Sequence, residues 1–387
     1  MKEYSGRDIE RYVKAAEEHM RRMGDLAAIA RRPLDSIFNA PRSLYRIGAL
    51  LDLAQIGLHT VLDFGAGTCW LSAMLNRMGA RTISLDVSET ALRAGQALFE
   101  SHPDQRMDLR PLFLSYDGEL FPLEDKCVDR VLSFDAFHHV PNPKRILQEI
   151  HRILRPGGIF ALSEPGIEHS KSAEAVRETQ RYGTLEQDID IEEMARLAGE
   201  TGFGPIRVSM LTVPEVGVVT YDEYVRFMRG KKTKHIDRVR GHLPYHTVMA
   251  LHKGPSVIDS RRPAVLRASI EVISAPEKIA AGEKMVIRVK AKNTGDTIWL
   301  AGSDFGGYVR VGAHLLDGEG RMSEYEYGRG SLPHDVKPGS EVEAGIELIA
   351  PSRGKWRIML DMVDEAVTWF GDSDSDSRGC IFLLDVL

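Results

Sequence analysis

The chain has 387 residues, 43% of them hydrophobic and 27% charged, with a net charge of −6. That length exceeds one ordinary core and predicts two domains of a globular protein. The acidic balance argues against a protein built to grip nucleic acid. No apolar run approaches membrane-spanning length, and the start MKEYSGRDIERYVK lacks a signal-peptide core. Cys69, Cys127 and Cys380 lie far apart without metal-ligand spacing. They are expected as free buried thiols of a cytoplasmic protein.

Residues 5–56 read as helices, opened by Ser5 with Asp8 as an N-cap pair and broken by Pro33 and Pro41. Leu44, Ile47, Leu50, Leu51 and Ala54 have helical spacing and predict a face packed on a sheet. Val61-Leu62-Asp63-Phe64 then reads as a buried strand, Gly65-Ala66-Gly67-Thr68 as a tight turn, Trp70–Met78 as a helix and Arg81–Leu85 as a second strand ending at Asp86. A strand, a glycine turn, a helix and a strand ending in an acid make a nucleoside-binding unit. The glycines admit a ligand where a Cβ would clash, and the helix N-terminus offers free N–H groups. The acid can accept both ribose hydroxyl protons. After Gly65 and Gly67, Trp70 breaks the G-x-G-x-x-G of dinucleotide folds. Ser88 caps the next helix. Met107–Leu114 is the expected third strand, followed by the turn residues Tyr116-Asp117-Gly118. Cys127–Phe134 is strand four, running into Asp135-Ala136-Phe137-His138-His139-Val140 beyond its carboxyl end, where ligands of open α/β sheets sit. A helix over Lys144–Leu154, stopped by Arg155-Pro156-Gly157-Gly158, leads to strand five, Ile159–Ser163, and Glu164.

The stretch from Asp63 to Gly158, with its D-x-G-x-G, its HHV after strand four and its RILRPGG, resembles the small-molecule branch of the class I S-adenosylmethionine-dependent methyltransferases. The resemblance implies a Rossmann-like α/β domain with a seven-stranded sheet and S-adenosyl-L-methionine as cofactor. It places Asp63, Gly65, Ala66, Gly67, Asp86, Val87, Tyr116, Asp117, Gly118 and Asp135 around that cofactor. Asp117 would accept from the adenine amino group, and Tyr116 or Val87 would pack on the ring. Cys69 stands where the family usually has a third glycine, which leaves less room beside the methionine part of the cofactor.

Methyl transfer from a sulfonium needs alignment and, for a hydroxyl acceptor, removal of a proton. His138, His139, Glu164 and His169 near the strand ends are the candidate catalytic groups. Two adjacent histidines are not expected to point the same way, so at most one faces the acceptor, and a pocket-shaping pair is the competing reading. Asp135, Glu164 and His169 would have to converge to hold a divalent metal. No spacing rule asks for that, and no metal ligand is assigned.

Ile191–Thr201 reads as a helix, Pro205–Val213 as strand six and His246–His252 as strand seven, an antiparallel end to the sheet. Residues 214–245 between them exceed what a hairpin needs. They hold a helix-like Tyr221–Met228 and a basic run, Arg229–Arg240, and are expected as an inserted lid or docking segment suited to an anionic acceptor or, equally, as a solvated surface. Domain one therefore covers 1–254 and a linker 255–265.

From 266 to 387 the pattern changes to short runs with turn signals: Leu266–Ile273, Lys284–Lys292, Thr297–Leu300, Tyr308–Leu316, Glu341–Ile349, Lys355–Met362, Val367–Phe370 and Ile381–Val386. Such spacing predicts an all-β sandwich. The segment resembles bacterial immunoglobulin-like domains attached to enzymes of surface-polysaccharide and glycan assembly. Trp299, Trp356 and Trp369 are expected in its core, and Asp372–Ser377 as a solvated hairpin tip, since it lacks the glycine and glutamate of a calcium loop.

The expected function is methylation of an oxygen on a sugar, glycan or lipid-linked glycan precursor. The competing readings are a methyltransferase for another small molecule, with the sandwich forming a homodimer, and a cofactor-binding scaffold without turnover.

Overall fold

The computed structural model describes residues 2–210, 217–231, 233–373 and 379–387, the side chains of residues 27 and 28 excepted. The chain divides into two compact units, Met1–Val257 and Ile258–Leu387.

The first unit is built on seven strands: β1 (Thr60–Phe64), β2 (Arg81–Asp86), β3 (Leu112–Ser115), β4 (Val128–Phe134), β5 (Leu154–Pro165), β6 (Ile206–Val208) and β7 (His246–His252). Their order is β3-β2-β1-β4-β5-β7-β6. β1 to β5 run parallel, and β7 is antiparallel to both β5 and β6. Strand side chains alternate between faces, and the core divides accordingly. Leu62, Phe64, Val131, Phe160, Leu162, Met249 and Leu251 join one cluster. Val61, Leu132, Ile159, Ala161, Val248 and Ala250 join the other.

The helices are α1 (Arg7–Arg22), α2 (Leu26–Ala30), α3 (Ala40–Ala54), α4 (Trp70–Arg77), α5 (Glu89–Ser101), α6 (Pro143–Ile153), α7 (Ala173–Tyr182) and α8 (Ile191–Glu200). α6 presents Ile146, Leu147, Ile150 and Ile153, all fully buried, to the first cluster, each stabilising by about 1.5–3 kcal/mol. α3 covers the second cluster with Ile47, Leu50 and Ala54. The chain turns one way from β1 to β2 and β3 and the other way from β4 to β5. The crevice beyond the carboxyl ends of β1 and β4 is therefore the topological switch point.

Several boundaries differ from the sequence expectation. Gly6, not Ser5, precedes α1, and no side chain caps that helix. Met107–Leu109 is a 3-10 turn, so β3 starts only at Leu112. The Arg155-Pro156-Gly157-Gly158 stretch does not stop α6. It lies within β5, because α6 already ends at Ile153 and Cys127 N–H bonds to the Ile153 carbonyl. β6 covers only Ile206–Val208, and residues 211–216 lie outside the described part. The segment before β7 forms helices Tyr221–Met228 and His235–His242, tied by an Arg238–Glu223 ion pair of 3.1 Å. Tyr221, Tyr224, Phe227 and Met228 are exposed on the first of these helices.

The second unit has two sheets over one core. One has the order β13 (Glu341–Ile349), β10 (Lys284–Asn293), β8 (Ala268–Ser274). The other runs β12 (Met322–Ser331), β11 (Val309–Leu316), β14 (Gly354–Asp364), β16 (Ile381–Val386), β9 (Lys278–Ile279), with β15 (Thr368–Trp369) paired to β14. Ile287, Val289, Val342 and Ile346 from the first sheet meet Val309, Val311, Ile358 and Leu360 from the second around Trp299. Asp259 and Ser260, in the stretch expected as a linker, are buried in this unit. Thr297–Leu300 makes only isolated bridges rather than a strand. β12 was not expected, because Gly328, Gly330 and many charged residues obscure its pattern. The glycines answer a packing need: a Cβ would lie 2.1 Å from Leu348 Cδ2 at Gly328 and 2.2 Å from the Gly345 carbonyl at Gly330. Trp299 and Trp369 are buried and Trp356 packs partly against the core. Phe370–Ser373 is a helical turn, and residues 374–378 of the acidic run lie outside the described part.

Asp364, at the end of β14, is 1% exposed, and neither carboxylate oxygen has a hydrogen-bond partner among the described residues. Burial first, then the charges of Asp259 and Glu365, push its pKa up to about 8. A folded-state pKa above the unfolded value of about 3.9 means that this group's stability contribution is full at low pH. It falls as pH rises from about 4 to about 8. Asp364→Asn should therefore raise Tm by at least about 4 °C at pH 9, and by clearly less at pH 5, in thermal melts.

Candidate functional site

The turn after β1 wraps onto β2. Gly65 and Ala66 donate N–H to the Leu85 carbonyl, and Gly67 N–H reaches Asp86 Oδ2 at 2.7 Å. Gly65 has φ +69°, and a Cβ there would lie 2.3 Å from Ala136 Cβ. Only glycine lets the β1 and β4 loops meet this closely at the switch point. At Gly67, φ is +51° and a Cβ would meet nothing within 4 Å, so open space adjoins the turn. Asp86 Oδ1 also accepts Ser88 N–H at 2.8 Å. Burial, only partly offset by these backbone donors, raises the Asp86 pKa. Each oxygen has capacity for a further donor. A buried, under-paired carboxylate beside an open glycine turn fits a ribose diol.

Glu17 of α1 was not foreseen. It accepts the Ser88 and Thr90 hydroxyls, both at 2.6 Å, and fastens α1 to the start of α5. Asp117 is exposed, and its Oδ1 accepts N–H from Glu119 and Leu120 at 2.9 and 2.8 Å. Tyr116 packs edge-on to Phe121 at 5.2 Å and tilted against Phe64 at 6.0 Å. Val87 is half-buried between Asp86 and the cap Ser88. Gly118 is buried under α1, with Val13 and Ile9 closest to where its Cβ would be.

Asp63 and Asp135, two of the expected cofactor residues, have protein partners for their carboxylates. Asp63 Oδ2 takes Ser72 N–H at 3.0 Å and Ser72 hydroxyl at 2.7 Å, anchoring α4. Burial, opposed by these bonds and reinforced by Asp86, pushes it up to about 7. Asp135 is gripped by Arg46 of α3 through two bonds of 2.5 and 3.1 Å. Burial works against its charge, but Arg46 outweighs it and holds the carboxyl below its usual range. Arg46 also bonds Ser163 and lies 4.4 Å over the Phe134 ring. Cys69 directs its thiol at α5, where a Cβ on Gly95 would come within 2.7 Å of its sulfur. Burial raises this thiol's pKa, so it stays protonated.

Beyond β4 and β5 the polar groups gather on Glu164, which is fully buried. Oε1 accepts the Ser133 hydroxyl at 2.8 Å and N–H from Phe137 and Ala136 at 2.9 and 3.2 Å. Oε2 lies 2.7 Å from His138 Nδ1. His138 Nε2 is 3.5 Å from Glu186, and His169 Nε2 is 2.9 Å from the same carboxylate. Burial opposes a charged His138, but the two carboxylates outweigh it and raise its pKa to about 9. His139 Nδ1 is 2.7 Å from the Leu185 carbonyl and therefore carries the proton, leaving Nε2 as the acceptor. Partial burial and then the charge of His138 lower its pKa. The two rings do not diverge as expected. The 3-10 turn Phe137–His139 sets their centroids 3.9 Å apart, and both reach Glu186. Glu186, in a loop without any motif, gave no sequence signal. The Asp135, Glu164, His169 set does not form, because Arg46 claims Asp135.

Residues 62–162 match the family model described as a methyltransferase domain. An uncharacterized methyltransferase of Mycobacteroides abscessus is 35% identical over 27% of this chain and 39% of its own length. The demethylmenaquinone methyltransferase of Clavibacter sepedonicus is 30% identical over 31% and 47% respectively. The malonyl-[acyl-carrier protein] O-methyltransferase of Nitrosospira multiformis is 26% identical over 57% and 72%. The chain thus spans less than half the length of the first two. Among solved structures, phosphoethanolamine N-methyltransferase 2 of Haemonchus contortus with S-adenosyl-L-methionine shows 17% identity and a TM-score of 0.44, covering 62% of this chain and 60% of that one. The first unit carries a methyltransferase domain of the S-adenosylmethionine-dependent class.

Removing Glu164 would strand a buried imidazolium, three N–H groups and a hydroxyl. Glu164→Ala is expected to lose about 3–5 kcal/mol in urea unfolding.

Proposed function

We propose that this protein methylates an oxygen of a small acceptor, a sugar, glycan or lipid-linked glycan precursor, with S-adenosylmethionine as donor. The observation that carries the methyl-transfer reading is the Gly65–Gly67 turn closed on the buried Asp86 at the switch point of the sheet. Asp86 would hold the ribose hydroxyls, the turn would admit the cofactor's backbone-facing edge, and Asp117 and Tyr116 would meet the adenine. The bound cofactor supplies an electrophilic methyl on a positively charged leaving group.

The chain's own task is to place the acceptor and take its proton. His139 suits the second part: its free Nε2 and lowered pKa keep it neutral at pH 7. His138, bonded to two carboxylates, is charged at that pH and serves to position its neighbour. The inserted helices at 221–242 would act as a lid or docking segment. The glycan part of the reading draws on the likeness of residues 266–387 to immunoglobulin-like domains of glycan-assembly enzymes. A second reading, another small acceptor, draws on the relatives named for malonyl-carrier and quinone substrates. A glycan array probed with the whole protein separates them: binding to a defined sugar favours the first, and none favours the second.

Calorimetric titration of S-adenosylmethionine should show Asp86→Ala binding about 10- to 100-fold more weakly than wild type, as loss of charged hydrogen bonds implies. His139→Gln should keep cofactor binding and lower kcat by at least about 100-fold on any accepted substrate. Absence of cofactor binding by wild type would overturn the proposal.

A further inference from the structure

We propose that His138, His169 and Glu186 form a binding site for one divalent transition ion of the zinc class, with Glu164 fixing the first ligand. Their donor atoms, His138 Nε2, His169 Nε2 and a Glu186 oxygen, all lie within 4.8 Å of one another. The His138–Glu186 separation of 3.5 Å matches the edge of a tetrahedron with metal–ligand bonds of about 2.1 Å. The His169–Glu186 separation of 2.9 Å lies slightly inside it. The three residues come from separate segments: the turn after β4, the 3-10 turn His169–Lys171 and the loop before α8.

The surroundings are those of a ligand set. His138 and Glu186 side chains are only 5% and 7% exposed, and His169 19%. His138 turns its other nitrogen to Glu164 at 2.7 Å, the carboxylate–histidine pairing that fixes tautomer and ring orientation in metal sites. On binding an ion, His138 would release its Nε2 proton and keep its Nδ1–H on Glu164. Two imidazoles with one carboxylate favour zinc and its neighbours over magnesium or calcium, which prefer all-oxygen sets. Glu186 also lines a cavity of about 910 Å³ under α1, with Tyr4, Arg7, Arg11, Lys14 and Tyr182 on its walls.

The test uses the full chain, stripped with a chelator and desalted, then titrated with zinc chloride and assayed for metal by mass spectrometry. Wild type should retain one zinc per chain. His169→Ala and Glu186→Gln should bind at least tenfold more weakly, and Glu164→Gln about 10- to 100-fold more weakly. Cobalt substitution of the wild type gives a second reading that needs no variant: visible absorption of a four- or five-coordinate site. Wild type that keeps no zinc and shows no such cobalt spectrum would overturn the site. So would His169→Ala and Glu186→Gln that stay folded by circular dichroism and retain zinc as wild type does.

Discussion

A single buried carboxylate holds the working end of the first unit together. Glu164 has no exposure to solvent, and five donors point at it: the Ser133 hydroxyl, the Ala136, Phe137 and His138 N–H groups and the His138 ring. Those donors are the end of β4 and the turn beyond it. One side chain at the end of β5 thereby folds the neighbouring loop into a fixed 3-10 turn. The same loop is held from the other side by Arg46, which spans from α3 to Asp135 and Ser163. Low dielectric makes each such bond worth more and each broken one more costly. This makes the loop part of the core rather than a flexible edge.

One consequence is that the two neighbouring histidines have different partners. His138 is committed to carboxylates on both nitrogens, whereas His139 spends its one N–H on a carbonyl and keeps a free lone pair. Burial first, and then the charge of His138, lower the pKa of His139. Across the crevice, the glycine turn has no side chain and Asp86 has spare acceptor capacity. The Asp86 turn and the histidine loop thus come together where Gly65 meets Ala136.

Much of the first unit was legible because its signals are local. The short buried run Val61–Phe64, the glycine pair, the Ser88 cap and the α6 stripe each follow from a rule of composition, period or turn chemistry. What escaped depends on distant partners. Glu17, Arg46 and Glu186 carry no motif, and their roles exist only once Ser88, Asp135 and the two histidines are brought beside them. The partners of Asp63 and Asp135, Ser72 and Arg46, likewise emerge only in the fold. The direction of the Cys69 thiol, toward Gly95, was not legible either, because sequence shows a side chain's size and not where it points. In the second unit, β12 was hidden by the very glycines that let it cross close to β13.

The account stands on the nucleoside site lying between the β1, β2, β3 and β4 ends. Hydrogen–deuterium exchange with and without S-adenosylhomocysteine tests this most directly. Protection is expected in peptides covering residues 63–69, 86–90, 116–118 and 135–139, with the second unit unchanged. Protection confined to other segments, or none at saturating ligand, would contradict the account.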